Sequence, residues 1–499
     1  MARSLAVALD RQTPINELRA SRVICMNSML GGILRLFDRR LCALLGATCS
    51  ALSSAWMPTL RAQTPASSSR PPLASSVIEV SEDQAVVVGK VELPLTEPYL
   101  AANPRNAGHL VASVIVVTKP DLTERSCSAL ASFDTGRTWK THDFAVKACG
   151  DPYAAILSDG SALVAMLGTV ADTTHLFVFR SPDGGLTWSE RPVVFPGQHD
   201  HGTLVVDHSG GAFSGNVYAV SQGSARDAAG KRRQATMVAR SSDGGVTFAQ
   251  ATPIIHGNLW MTAMNPVVLS DGMLAVPWAN FGRIMADGEF AWLARELDWV
   301  VTSADGGKTF STPLFVSDAC GRTFPVLAAD GSAGPYRDRL YWLCNDRTFE
   351  HVYLHYSADR GSRWSEPVVV NQGAGREPYA RTAAIAVNRN GVVGITWYDG
   401  RADKTGDVAF RCQELFFTAS LDGGRSFLPD VRVSSAKNCP VTSANGEAGR
   451  RWPAGGDYHG LVAAADGRFH VLWSDSRSGV YQLRAATIRV KGEAAAGGK

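Results

Sequence analysis

Apolar residues in this chain come in short runs set between polar, glycine-rich breaks. One stretch reads AAIAV (383–387), GVVGITWY (391–398), ELFFTAS (414–420) and VRVSS (431–435), with Asn, Asp, Gly and Arg between the runs. The stretch before it repeats the plan with PVLAA, RLYWLC, VYLHYSA and PVVV between positions 325 and 370. Runs of this length, rich in Val, Thr and aromatic residues and bounded by turn formers, predict β-strands. Gly is abundant at 48 residues, which suits many tight turns.

The turns themselves repeat. SFDTGRTW (132–139), SPDGGLTW (181–188), SSDGGVTF (241–248), SADGGKTF (303–310), SADRGSRW (357–364) and SLDGGRSF (420–427) all fit S-x-D-x-G-x-x-[WF]. Successive copies start 49, 60, 62, 54 and 63 residues apart, close to the length of a four-stranded propeller blade. In each copy an aspartate (Asp134, Asp183, Asp243, Asp305, Asp359, Asp422) can accept backbone N–H bonds inside a tight hairpin turn. The following glycine supplies a positive φ, and the closing Trp or Phe plugs the gap between sheets. These aspartates are read as structural.

The six motifs resemble the Asp boxes (BNR repeats) of the sialidase-like superfamily, and the resemblance implies an all-β propeller of four-stranded antiparallel blades. Each box falls between the third and fourth strands of its blade. First strands near 99, 153, 203, 266, 325, 383 and 460 give seven blades in preference to six. The last set, GLVAAA, RFHVLWS and QLRAATIRV, has three strands and no box, so VIEVSEDQAVVV (77–88) is expected to supply its outer strand and close the ring.

The rest of the chain adds a compartment. Residues 1–63 read as a targeting segment: Arg35, Arg39 and Arg40 precede the run LCALLGATCSALSSAW (41–56), with LRAQ (60–63) as a small-residue cleavage site and Met29 as a possible start. The run is too short and polar for a stable membrane span. A linker (64–76), one propeller (77–490) and a disordered tail (491–499) follow, and the expected location is periplasmic or extracellular. Six cysteines remain beyond the leader, and none has CxxC spacing. The strand register predicts Cys127–Cys149, Cys320–Cys344 and Cys412–Cys439 as bridges between neighbouring strands. A net charge of +3, with 49 basic against 46 acidic residues, leaves no electrostatic footprint for nucleic acid.

Antiparallel connectivity puts the boxes on one face and the 2–3 and 4–1 connections on the other. The long segments 221–234, 279–299 and 439–457 are expected as loops of that second face, where binding usually lives. The residues entering the first strands should rim its central mouth: Glu97, Asp151, His201, Arg322, Glu377, Arg381, Asp457, Tyr458 and His459. Three Asp–Arg pairings after second strands (Asp346 with Arg347, Asp399 with Arg401, Asp475 with Arg477) are read as structural ion pairs. The segment QHDH (198–201) is read as ordinary rim polarity, so neither metal nor cofactor is expected.

Resemblance to sialidases implies arginines clamping a sugar carboxylate, a tyrosine nucleophile with an activating glutamate, and an aspartic acid as acid/base. Carried onto this chain, Tyr458 is the nucleophile, Glu377 its base, and Asp457 or Asp151 the acid; Arg322, Arg381, His201, His459 and Glu97 contact substrate. The first-blade arginine of that pattern is missing, and Glu97 stands there instead. The expected function is hydrolysis of acidic terminal sugars from glycans. A non-catalytic propeller binding glycan or protein, and a lyase of acidic polysaccharides using His201 or His459 with Tyr458, are the alternatives.

Overall fold

The computed structural model describes residues 78–492, apart from 90–91, 120, 286–288, 322–323, 373–378, 402, 404–411 and 441–443. The expected leader, linker and nearly all of the tail lie outside the described residues, as do Arg322 and Glu377. The strands form seven antiparallel sheets in a ring, nearly all β, with one short helix, Glu447–Arg451, among the described residues. The first blade runs Leu95–Ala102, Leu110–Val117, Arg125–Ser132 and Lys140–Phe144 from the axis outward. The innermost strands of adjacent blades touch all the way round, the seventh (Gly460–Ala463) against the first.

Closure follows the sequence expectation. The outer edge of the seventh blade is Ile78–Val80 and Gln84–Val86, both antiparallel to Gln482–Val490. Between them Asp83 is buried and joined to Ser435, Arg477 and Arg484.

Each sheet is apolar on both faces, so the core is a set of seven layers, one per blade interface. Ala131, Phe144 and Trp188 belong to the layer between the first two blades, and Leu130, Leu472 and Leu483 to the one that closes the ring. Trp278, Trp342, Trp397 and Trp473 sit on second strands and are fully buried. Three give their indole N–H to a buried carboxylate: Trp342 to Asp298, Trp397 to Asp399 and Trp473 to Asp475. Truncating one such Trp would cost about 3–5 kcal/mol.

The boxes behave as local chemistry dictates. In all six, the serine hydroxyl donates to the aspartate and accepts the glycine N–H, as with Ser241, Asp243 and Gly245 (2.7 and 2.8 Å). The Thr247 hydroxyl adds a bond of 2.6 Å to Asp243; the fifth box, with Arg363 at that place, has only the backbone N–H bond to Asp359. Gly245 has φ +85°, and a Cβ there would lie 2.7 Å from Leu163 of the preceding blade, so glycine serves both turn and packing.

All three expected disulfides are present: Cys127–Cys149, Cys320–Cys344 and Cys412–Cys439. Two expectations need correction. Segments 221–234 and 279–299 are mostly strand, because the hairpins Val217–Arg226/Arg232–Ser241 and Leu274–Ile284/Phe290–Ser303 extend beyond their blades. Arg401 and Arg477 pair with Asp399 and Asp475 at 2.7 and 2.8 Å, but Arg347 instead donates to the carbonyl of Ala294. Asp346 caps its own turn through Thr348 and Glu350.

Candidate functional site

Four of the innermost strands carry the same irregularity at the end opposite the boxes. Pairing with the second strand slips between Thr96 and Tyr99, Gly150 and Tyr153, Asp200 and Thr203, and Arg381 and Ala384. Within each slip one residue is left-handed: Glu97 (φ 53°), Asp151 (45°), His201 (48°) and Thr382 (48°). Such a backbone costs a non-glycine residue roughly 1–2 kcal/mol, and a bulge re-aims its side chain. Strain repeated at one register in four blades marks a place built for side-chain aim. Counting back from the pairs that end each first strand puts Phe324 and Tyr458 at the same level in the fifth and seventh blades.

These residues converge. A cavity of about 110 Å³ on the axis is lined by Asp151, His201, Phe324, Asp457, Tyr458 and His459, among others. A second of about 90 Å³ adjoins it, sharing Phe324, Ala383 and Asp457, and adds Arg381, Arg451 and Asn345. The phenol of Tyr99 donates to that of Tyr153 at 2.5 Å with the rings stacked, and Tyr458 meets Tyr99 edge-on at 6.2 Å. Asp151 accepts the backbone N–H of His201 at 3.0 Å, and the His201 ring lies 4.5 Å from Phe324 and 3.3 Å from the Asp200 carboxylate. Glu97 is 1% exposed, and its Oε2 has no hydrogen-bond partner. The chain before Asp457 crosses it at Gly456, where a Cβ would lie 2.7 Å from the Glu97 nitrogen.

Crowding divides the titrations. Burial, then the charges of Asp151 and Asp457, push the Glu97 carboxyl well above its usual range. Burial also raises Asp151 and Asp457, with His201 opposing both. Against the upward pull of burial, His201 holds Asp200 low. Against the downward pull of burial, Asp200 and then Asp151 raise His201 to about 10. Burial, then Glu97 and Asp151, keep the Tyr458 phenol protonated far above neutral pH. Carboxyls held high beside one held low form the pattern that separates acid from base.

The sequence-predicted residues fall into three groups. Glu97, Asp151, His201, Asp457 and Tyr458 gather at the mouth, and Arg381 lines the adjoining cavity, its guanidinium 4.5 Å over Phe349. His459 reaches the cavity but is 3% exposed, bonded to Thr396 at 2.7 Å and lowered by burial to about 3, so it is a neutral supporting side chain. Arg322 and Glu377 lie outside the described residues.

Sequence reasoning missed Arg451 and Phe324. Arg451 ends the short helix in the elaborated 439–457 connection, and its charge acts on Glu97, Asp200 and Asp457. The length of that connection was the available signal. Phe324 is marked only by register.

A family model described as "BNR repeat-like domain" matches residues 75–319, the part that carries the first four boxes. That match covers just under half of the chain and agrees with the BNR-repeat resemblance of its turn motifs. No curated protein matches it. Among solved structures, this seven-bladed propeller is similar to a Dyadobacter fermentans protein of unknown function (11% identity, 83% of this chain and 99% of that one, TM-score 0.45). It is also similar to the Hadza microbial sialidase Hz136 (15%, 77% and 76%, 0.44) and to an α-L-arabinanase of Penicillium chrysogenum (15%, 67% and 92%, 0.41). Likenesses this remote assign no substrate. No helix among the described residues is long and apolar enough to cross a membrane.

Proposed function

We propose that this chain is an exported glycoside hydrolase that releases acidic terminal sugars, with the mouth of the ring as its active site. One observation carries the reading. Tyr458 lies among Glu97, Asp151 and Asp457 at the axis, while Arg381 and Arg451 line the cavity that opens beside them. Two arginines suit a carboxylate because their planar forks match its oxygens. Tyr458 is the nucleophile. Glu97, whose charge acts on that phenol more strongly than any other, is its base in the role first given to Glu377. A carboxylate held high is a strong base toward a phenol. Asp151 or Asp457, also held high, protonates the leaving oxygen. Three disulfides favour an oxidising compartment.

A fluorogenic sialoside assay on the mature chain tests this. Tyr458→Phe is expected to lower turnover by at least about 10³-fold, and Arg381→Ala to raise KM more than it lowers kcat. Wild-type inactivity, or activity indifferent to both changes, would overturn the reading. So would hydrolysis of a neutral glycoside that Tyr458→Phe leaves intact.

A further inference from the structure

One large cavity lies off the axis. About 460 Å³ in volume, it runs along the rim between the third and fourth blades, within the range of about 300–1,000 Å³ typical of ligand sites. Its walls are the two hairpins that extend beyond their sheets, and its lining includes Lys231, Arg232, Gln222, Gln234, Asn258 and Trp260.

The charge here is concentrated and only partly offset, by Asp227 and by Asp200 in the lining. Between 226 and 233 stand Arg226, Lys231, Arg232 and Arg233 against a single acid, Asp227. Asp227 pairs with Arg233 at 2.7 Å. Arg232 donates to the Ser224 hydroxyl, Arg226 to the Gly230 carbonyl, and Lys231 has no carboxylate partner among the described residues. Arg226 and Arg232 are also directly opposite each other across the ladder, where like charges destabilise a pair. A fold gains nothing by holding cations in this way; an anionic ligand does. Trp260 supplies a partly exposed ring braced edge-on by Phe290 at 5.8 Å, a surface for the apolar face of a sugar. Side-chain amides of Gln222, Gln234 and Asn258 add donors and acceptors suited to hydroxyls.

The groove also borders the mouth. Asp200 lines the groove, and the next residue, His201, lines the axial cavity. We infer that this rim groove binds the body of a polyanionic glycan, a polysaccharide bearing carboxylates or sulfates, and leads its terminal sugar into the mouth. The inference rests on the glycosidase reading for the second clause alone; binding in the groove needs no catalysis.

The test uses the mature chain and affinity electrophoresis or calorimetry with a polyuronate, a sulfated glycosaminoglycan, a neutral dextran and poly-glutamate. Either polyanionic glycan should bind, dextran should not, and binding should fade as salt rises. The uronate and sulfate arms tell which anion the groove prefers. Lys231→Gln with Arg232→Gln should weaken glycan binding at least tenfold while leaving hydrolysis of a small sialoside unchanged. Trp260→Ala, checked for folding by its melting curve, should weaken glycan binding in the same way. Equal binding by the charge variant, binding of dextran as strong as the anionic chains, or poly-glutamate held as tightly as glycan and unaffected by Trp260→Ala would each overturn the inference. Failure of the sialoside assay alone would leave the groove standing and remove only the hydrolase.

Discussion

His470 offers a clean measure of what burial does to charge in this ring. It lies on Phe469–Asp475, the second strand of the seventh blade, and is 3% exposed. Its Nδ1 meets the Thr487 hydroxyl at 3.2 Å and its Nε2 has no partner, so a proton there would be buried without an acceptor. Burial accordingly lowers its pKa to about 4. A histidine lowered in this way is neutral when folded and charged when unfolded, so stability falls as pH drops from about 6.5 towards 4. At pH 5 the unfolded chain gains about 2 kcal/mol from that protonation, and at pH 7 only a few tenths. His470→Gln keeps a polar group for Thr487 and removes the titration. Urea unfolding at both pH values should show the wild type losing about 2 kcal/mol more than the variant between pH 7 and 5. His256 and His459, lowered to about 4 and about 3, act in the same direction in both proteins and cancel in the comparison. His201, raised to about 10, acts oppositely and cancels too. Parallel pH dependence in the two proteins would refute the reasoning.

Asp243→Ala removes the acceptor for Ser241, Val246 and Thr247 in an exposed turn and should cost about 2 kcal/mol at pH 7, read by urea midpoint. Because those bonds lower the Asp243 pKa to about 2, the penalty should persist to pH 4 and shrink below it; a neutral substitution would show the box to be ornamental. Glu97→Gln should do the reverse, stabilising the fold on the order of 1 kcal/mol at pH 7 because a raised carboxyl resists charging. The gain should vanish below pH 4, where both states are neutral. The same substitution should lower turnover about 10²-fold or more, and full activity would remove Glu97 from the chemistry.

The ring was legible because its signals are local and repeated. Six copies of one turn set the blade length, and the register they impose pairs Cys127 with Cys149 and 77–88 with the last strand from residue order alone. The gathering of Glu97, Asp151 and Tyr458 followed from topology as well. What stayed hidden depends on conformations that residue types do not announce. A left-handed Glu97 or Asp151 looks in sequence like any acid, since only glycine advertises that region. The first long hairpin read as a loop because the ends of its strands, Ser221–Arg226 and Arg232–Gln234, are too polar to look like strand. Arg451 reaches the mouth from a helix of five residues, too short for periodicity to reveal.

Asp83 gives the molecule a late-acting lock. Its carboxylate, lowered to about 2 by bonds to Ser435, Arg484 and Arg477, ties together positions more than 350 residues apart in the chain. During synthesis that knot cannot be completed until Arg484 has left the ribosome, because the strand that 78–86 pairs with is the last of the chain. A deletion of 78–86 would leave every box intact and yet bare the flank of Gln482–Val490, an unpaired edge open to pairing with another chain.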